Sequence, residues 1–165
     1  METNEAVQSL KLAKSYLKDV DYELMEDARD SINAQLDSTT TNRRKSTFHE
    51  ALNNVNLAIK QINNAEQIDS TAHLNGNGIS YFRSLSLGYR ALIEGSLGNR
   101  SVSLKYLKKS IELSDNIFIT QFAIGCDYQR KGKKEDALRH FKRAIELKPD
   151  DMELRKMVDR YENKL

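Results

Sequence analysis

The residues best suited to metal binding or nucleophilic catalysis are scattered along this sequence. The three histidines are His49, His73 and His140, and the single cysteine is Cys126. Zinc sites draw Cys and His ligands from pairs at short spacing, and no such pair occurs here. No general base lies beside Cys126 in the sequence, which favours a structural residue over a nucleophile. The sequence therefore predicts no metal and no cofactor.

One pair of residues could still act on a phosphate group. Arg44 and His49 are separated by four residues at the start of a predicted helix. The spacing resembles the Arg-x4-His element of the HEPN-type ribonucleases, in which both side chains are expected to act on the scissile phosphate. The alternative is a basic surface cluster on the first turn of the helix, and we favour it. A HEPN-like RNA-acting enzyme that uses Arg44 and His49 is therefore kept as an alternative function.

The composition predicts a helical protein. Of the 165 residues, 39% are hydrophobic and 30% are charged, and 7 Gly and 1 Pro are too few for the frequent turns of a many-stranded β fold. The net charge of +2 is uneven, since residues 1–40 carry 9 acidic and 4 basic side chains whereas residues 41–110 carry 10 basic and 4 acidic ones. This distribution creates no strong global field for nucleic acid, so nucleic-acid binding is not predicted.

The N-terminal part is predicted to form a helical hairpin over residues 1–70, and a degenerate repeat is an alternative for this part. Apolar residues recur at three- and four-residue steps over residues 4–36 and again over 47–66, and the polar stretch 37–44 between them is predicted as a loop. Residues 4–36 could form one helix or break near Asp19. Asn75-Gly-Asn-Gly marks the clearest break in the chain and is predicted to be an exposed loop.

Residues 79–165 repeat. Helices are predicted at 80–97, 100–113, 117–131, 134–147 and 151–163, with Gly98, Gly132 and Pro149 in the turns.

The first residues of the chain are acidic with no apolar run after them, and no stretch approaches a membrane span. Together with the lone cysteine, this pattern predicts a cytoplasmic protein with no membrane contact.

The repeat has a recognisable signature. Ile124-Gly125, Tyr128, Gly132, Ala137, Phe141, Ala144 and Pro149 follow one another at spacings that resemble the tetratricopeptide repeat (TPR), with Gln121 in the place of its Trp. This resemblance is strong over residues 118–151. A second copy lies 34 residues earlier, over 84–117, where "SLKYLKKSIEL" aligns with "ALRHFKRAIEL". Residues 151–165 have one apolar and one charged face, as a capping helix requires.

The resemblance implies an all-α fold in which antiparallel helix pairs stack as a right-handed array, with an N-terminal helical hairpin and a C-terminal capping helix, and it implies a protein-binding function. In this family the first helix of each pair lines a concave groove that holds peptide or helical segments. The implied partner-binding residues here are Leu85, Tyr89, Leu92, Ile119, Phe122, Cys126, Gln129 and Arg130. An alternative is that the N-terminal hairpin already fills this groove.

The sequence thus predicts a non-enzymatic, cytoplasmic adaptor or assembly chaperone that binds another protein in an apolar groove. Besides the HEPN-like enzyme, a structural homo-oligomer is an alternative, in which the groove takes the hairpin of a neighbouring copy.

Overall fold

A computed structural model describes the backbone of residues 2–33 and 38–164, and the side chains of residues 4–24 and 46–164. Within these ranges the chain folds into seven helices and one two-residue β-hairpin. The helices are α1 (Glu2–Asn33), α2 (Ser38–Ile68), α3 (Ile79–Ser96), α4 (Arg100–Leu113), α5 (Phe118–Arg130), α6 (Lys134–Leu147) and α7 (Met152–Glu162), and the strands are β1 (His73–Leu74) and β2 (Asn77–Gly78). The prediction of an all-α array of helix pairs with an N-terminal hairpin and a C-terminal cap is confirmed.

The N-terminal hairpin is longer and more regular than its sequence suggests. Helix α1 is one continuous helix without a break at Asp19, and α2 begins at Ser38. The predicted loop over 37–44 is therefore wrong for residues 38–44, while residue 37 lies outside the described part of the chain. Ser and Thr disfavour helices only weakly, and extensive packing of α2 against α1 overrides that preference.

The Asn-Gly break forms a tight turn. Asn75 (φ 53°) and Gly76 (φ 78°) both have positive φ, as a type I′ turn requires. The turn lets His73 pair with Gly78 and Leu74 with Asn77. The predicted exposed loop is thus a short β-hairpin that leads directly into α3.

Helices α3 to α6 form two antiparallel pairs whose bounds lie within one or two residues of those predicted. Gly98 (φ 88°) and Gly132 (φ 75°) end α3 and α5 in the left-handed conformation. At each end a backbone N–H reaches back to the helix, from Asn99 to the Glu94 carbonyl (2.8 Å) and from Lys133 to the Tyr128 carbonyl (3.0 Å). This is the Schellman arrangement, which satisfies carbonyls that a helix end leaves free.

Small side chains bring the paired helices close together. A Cβ added at Gly125 would lie 2.5 Å from Cε1 of Phe141 and 3.1 Å from the carbonyl oxygen of Ala137. At the matching place in the first pair, Ser103 Oγ donates a hydrogen bond to the Ala91 carbonyl (2.7 Å). The two pairs therefore cross at equivalent points, which supports the second, less regular repeat.

One hydrophobic core runs through the whole array. It includes Leu10 and Val20 of α1, Val55 of α2, Ile93 of α3, Phe122 of α5 and Phe141 of α6, all fully buried or nearly so. The cap α7 completes it with Leu154, Met157, Val158 and Tyr161. Tyr161 packs edge-on against Phe141 with 5.2 Å between ring centroids.

Candidate protein-binding surfaces

The predicted partner-binding residues fall into a buried and an accessible group. Leu85, Tyr89, Leu92, Ile119 and Phe122 are buried, whereas Cys126 and Gln129 are half-buried and Arg130 is exposed. Ile119 lies where α3 and α5 cross, since a Cβ on Gly88 would come within 2.8 Å of its Cγ2. Phe122 packs on Phe141 with 5.2 Å between ring centroids. These buried side chains form the packing between helices.

Helix α1 lies against the wall that these first helices form. It packs on α3 and also reaches α7. Asp21 of α1 accepts a hydrogen bond from the hydroxyl of Tyr89 (2.7 Å) and one from Nζ of Lys148 (3.0 Å). The Lys148 ammonium lies 4.2 Å above the ring of Phe118, and this ring in turn meets Tyr89 edge-on. An acidic helix of the chain itself therefore contacts the inner wall at Tyr89.

The titration of this cluster follows from its burial. Burial and the neighbouring Asp21 carboxylate hold the pKa of Tyr89 well above its ordinary value. Burial alone lowers the pKa of Lys148, but Asp21 and Asp151 outweigh it and the pKa of Lys148 is raised. At neutral pH the Tyr89 phenol is therefore neutral and Lys148 is an ammonium, and both side chains hydrogen-bond to Asp21 of α1.

Cys126 has no features of a nucleophile. Burial raises the pKa of its thiol to about 12, in spite of the opposing effect of nearby Arg130. A thiol with this pKa is protonated at neutral pH, and the thiolate is the reactive form. Cys126 therefore serves as a packing residue at the far end of α5.

The three histidines lie on different elements, α2, β1 and α6. His49 is exposed on the surface of α2, and the side chain of Arg44 lies outside the described part of the chain. His140 stacks on Tyr128, and its Nδ1 lies 2.9 Å from Oε1 of Gln121. No three His, Cys, Asp or Glu side chains come together as metal ligands in the ranges that the structure describes.

Two open apolar grooves flank α4. The larger, which we call the α4–α5 groove, has a volume of about 450 Å³ and is lined by Leu104, Leu107, Lys108, Ile111, Glu112, Ile124, Asp127, Tyr128 and Lys131. The second, the α2–α4 groove, has a volume of about 340 Å³ and is lined by Ile59, Arg83, Leu87, Lys109, Glu112 and Leu113. Helix α4 forms a wall of both grooves, and four of its apolar side chains are 38–43% exposed: Val102, Leu104, Ile111 and Leu113.

A comparison with protein families identifies part of this architecture. Residues 119–151 match the family model described as tetratricopeptide repeat. This segment is similar to a tetratricopeptide repeat. No curated protein shows detectable similarity to the chain in sequence. The match confirms the predicted resemblance over α5, α6 and the turn that follows them.

The tetratricopeptide repeat is typical of protein–protein interaction modules. Its first helix here is α5, so the stacked pair before it has α3 as first and α4 as second helix. The grooves beside α4 therefore involve a second helix, whereas the predicted site lies on the first helices. Sequence reasoning missed these grooves. A signal was present, because the apolar Leu104 and Ile111 lie outside the face of α4 that carries the buried Ser103, Leu107 and Ser110.

No helix in the described ranges has both the length and the apolar character that a membrane crossing needs.

Proposed function

We propose that this chain is a non-enzymatic adaptor or assembly chaperone of the cytoplasm, and that it binds another protein through the grooves beside α4. The observation that carries the proposal is the exposed apolar side chains on the two flanks of α4, Leu104 and Ile111 on one flank and Val102 and Leu113 on the other. Exposed apolar surface with a polar rim is a feature of protein-binding sites, and each of the two grooves beside α4 has charged residues among its apolar lining. A tetratricopeptide repeat next to this helix supports the same class of function.

The proposal also assigns a role to each part of the chain. We propose that residues 79–165 form the repeats with their cap and that residues 1–70 form the hairpin domain, whose described part packs against the repeats. The residues predicted from the family resemblance, such as Tyr89 and Phe122, remain a second candidate surface. A partner could reach Tyr89 only by replacing the Asp21 side chain of α1. The grooves beside α4 require no such displacement, which is why we favour them.

The proposal is tested by site-specific photo-crosslinking in the native cell. A photoreactive phenylalanine analogue replaces Ile111 in the α4–α5 groove, and in the control it replaces Met152, which is apolar and 58% exposed on α7. We expect a discrete crosslinked protein from position 111 and none from position 152. The recovered partner is then produced in purified form and its affinity for the full chain is measured by calorimetry.

The substitution pair Leu104→Ser and Ile111→Ser should weaken the binding of that partner at least about ten-fold, and Met152→Ser should leave it unchanged. A chain that crosslinks only to itself, with dimers seen by light scattering, would replace the adaptor with a homo-oligomer. Hydrolysis of RNA by the purified chain that disappears in His49→Ala would instead establish the ribonuclease.

A further inference from the structure

Helix α3 forms the floor of the α2–α4 groove. Arg83, Leu87 and Arg90 recur on it at four- and three-residue steps, so they lie in one row about 10 Å long. Leu87 lines the groove together with Ile59 of α2 and Leu113 of α4, and these three side chains give it its apolar part. The row on α3 therefore has an arginine at each end and an apolar residue between them.

The Arg90 end of the groove is positive. Arg90 Nη1 donates a hydrogen bond to Oδ1 of Asn56 (3.2 Å), and its Cζ lies 4.5 Å from the centre of the Tyr106 ring, so the guanidinium is held between α2 and α4. Oε1 of the buried Glu94 lies 4.0 Å from Arg90 Nε and offsets part of this charge. Lys109 lines the groove one turn along α4 from Tyr106 and forms no ion pair with the described residues. Two basic side chains and one acidic side chain give this end a charge of +1.

The Arg83 end of the groove is negative. Arg83 Nη2 donates a hydrogen bond to Oε2 of Glu66 (2.9 Å), so the charge of this arginine is already compensated. Ser110 Oγ donates to the carbonyl of Ser84 (2.8 Å), which places the last turn of α4 beside the first turns of α3. Glu112, in that last turn, lines the groove and has no ion-pair partner in the described part of the chain. One basic side chain and two acidic side chains give this end a charge of −1.

The charges of the α2–α4 groove thus cancel in total but are separated along its length. An occupant that lies along the groove meets a positive end, an apolar centre and a negative end. Grooves between helices bind amphipathic helices through apolar anchors at i, i+3, i+4 and i+7, a spacing that fits the row on α3. Complementary charges at the two ends would fix the orientation and register of such a helix.

We infer that the α2–α4 groove binds an amphipathic helix of a partner protein in one orientation. An acidic residue of this helix lies over Arg90 and Lys109, a basic residue lies over Glu66 and Glu112, and apolar residues between them pack on Leu87. The inference rests on the proposed adaptor function and specifies the partner segment and its direction.

The test uses the full chain and two synthetic peptides of about 18 residues, a length at which a helix can form in isolation. Both have leucines at i, i+3, i+4 and i+7 and equal numbers of glutamates and lysines. In the segregated peptide the glutamates lie at one end of the leucine stripe and the lysines at the other. In the mixed peptide the two charges alternate. Circular dichroism gives the helix content of each free peptide, for which the affinities are corrected, and binding is measured by fluorescence anisotropy at two salt concentrations.

We expect the segregated peptide to bind about five- to ten-fold more tightly than the mixed one at low salt, and the difference to shrink at high salt. Lys109→Glu should remove this preference. The matched control is Lys108→Glu, the same change at the adjacent exposed lysine, which lines the α4–α5 groove instead. Leu113→Ser should weaken both peptides, whereas Ile111→Ser, at a similarly exposed position on the other flank of α4, should not.

The orientation is read from a nitroxide label on the glutamate end of the segregated peptide. The label should broaden the NMR signals of Asn56 and Tyr106 and leave those of Asn63 and Leu113 sharp. A label on the lysine end should do the reverse. Broadening of both ends of the groove by one label would show that the helix binds in two directions, which contradicts the inference.

Equal binding of the two peptides, equal effects of the two lysine substitutions, or the absence of binding would also overturn the inference. Dimers that form without peptide and disappear in Leu113→Ser would assign the groove to a second copy of the chain, with the same consequence. The adaptor proposal is judged separately, by placing the photoreactive residue at position 113 as well as at position 111. A native partner that crosslinks at 111 and not at 113 leaves the adaptor intact and refutes only the α2–α4 groove as its site. Oriented peptide binding without a native partner at either position does the opposite.

Discussion

The contact between Asp21 and Tyr89 gives the sharpest test of how α1 is held on the array. The substitution Asp21→Ala removes the carboxylate that accepts hydrogen bonds from Tyr89 and Lys148. It leaves the Tyr89 hydroxyl buried without its acceptor. The stability of the whole chain should fall, because α1 contributes core residues such as Leu17 and Val20 that depend on its position.

The magnitude follows from the burial of each partner. A buried donor that loses its charged acceptor costs about 1–3 kcal/mol. The pair with Lys148 adds less than about 1 kcal/mol, because the Lys148 side chain is 35% exposed and keeps Asp151 at 3.2 Å. We therefore expect Asp21→Ala to lower the free energy of unfolding by about 2–3 kcal/mol. Tyr89→Phe, which leaves the pair between Asp21 and Lys148 intact, should cost about 1–2 kcal/mol.

The assay is urea denaturation followed by circular dichroism, applied to both single variants and the double variant. The coupling energy between Asp21 and Tyr89 should be about 1–2 kcal/mol. Asp19→Ala, at an exposed position of the same helix, gives the effect of helix propensity together with the loss of a carboxylate that lies near Glu23. Tyr22→Phe is the matched control for the loss of an exposed hydroxyl. Additive effects of the two substitutions, or a cost of Asp21→Ala no greater than that of Asp19→Ala, would refute the assigned role.

Three further predictions concern packing and titration. Gly125→Ala should lower the free energy of unfolding by about 1–3 kcal/mol in thermal melts, because the new methyl group meets the ring of Phe141; an unchanged melting temperature would contradict the close approach. Glu23 has its pKa raised mainly by burial, so folding favours its protonated form. Glu23→Gln should then stabilise the protein at pH 7, and the gain should shrink as the pH falls through the raised pKa of the folded state and be lost below the ordinary carboxyl value of 4.5. The exposed Glu5→Gln is the control, and a gain independent of pH would argue against this account. Cys126 should react with a disulfide reagent at pH 8 at least about 100-fold more slowly in the native than in the unfolded protein, since its thiol pKa is about 12. Equal rates would show that the thiol is accessible and ionised.

The repeats could be predicted from the sequence because the residues that end their helices act locally. Gly98 and Gly132 end their helices with a positive φ, a conformation that glycine adopts without steric strain, so the residue type alone indicates the helix end. The start of α2 was not predictable in the same way. Its first residues are Ser and Thr, whose weak preference against helix is outweighed by packing on α1, and this packing depends on residues far away in the sequence.

The candidate site was harder to predict than the fold. A repeat signature identifies which helix comes first in each pair, but it does not say which surface another segment of the chain covers. Tyr89 looks the same in the sequence whether it faces solvent or Asp21. The sequence places Leu104 and Ile111 beside the buried face of α4, yet periodicity alone does not show that these two side chains remain exposed in the folded chain.

The pair between Asp21 and Lys148 joins residues 127 positions apart in the chain. In most arrays of helical repeats each unit touches only its neighbours, so the ends can fray while the middle stays folded. Here the first and last helices meet, and neither end can open without disturbing the other. All units should consequently unfold together, in a single transition on denaturation. The contact between α1 and α7 should form slowly during folding, because it joins residues that are far apart in the sequence.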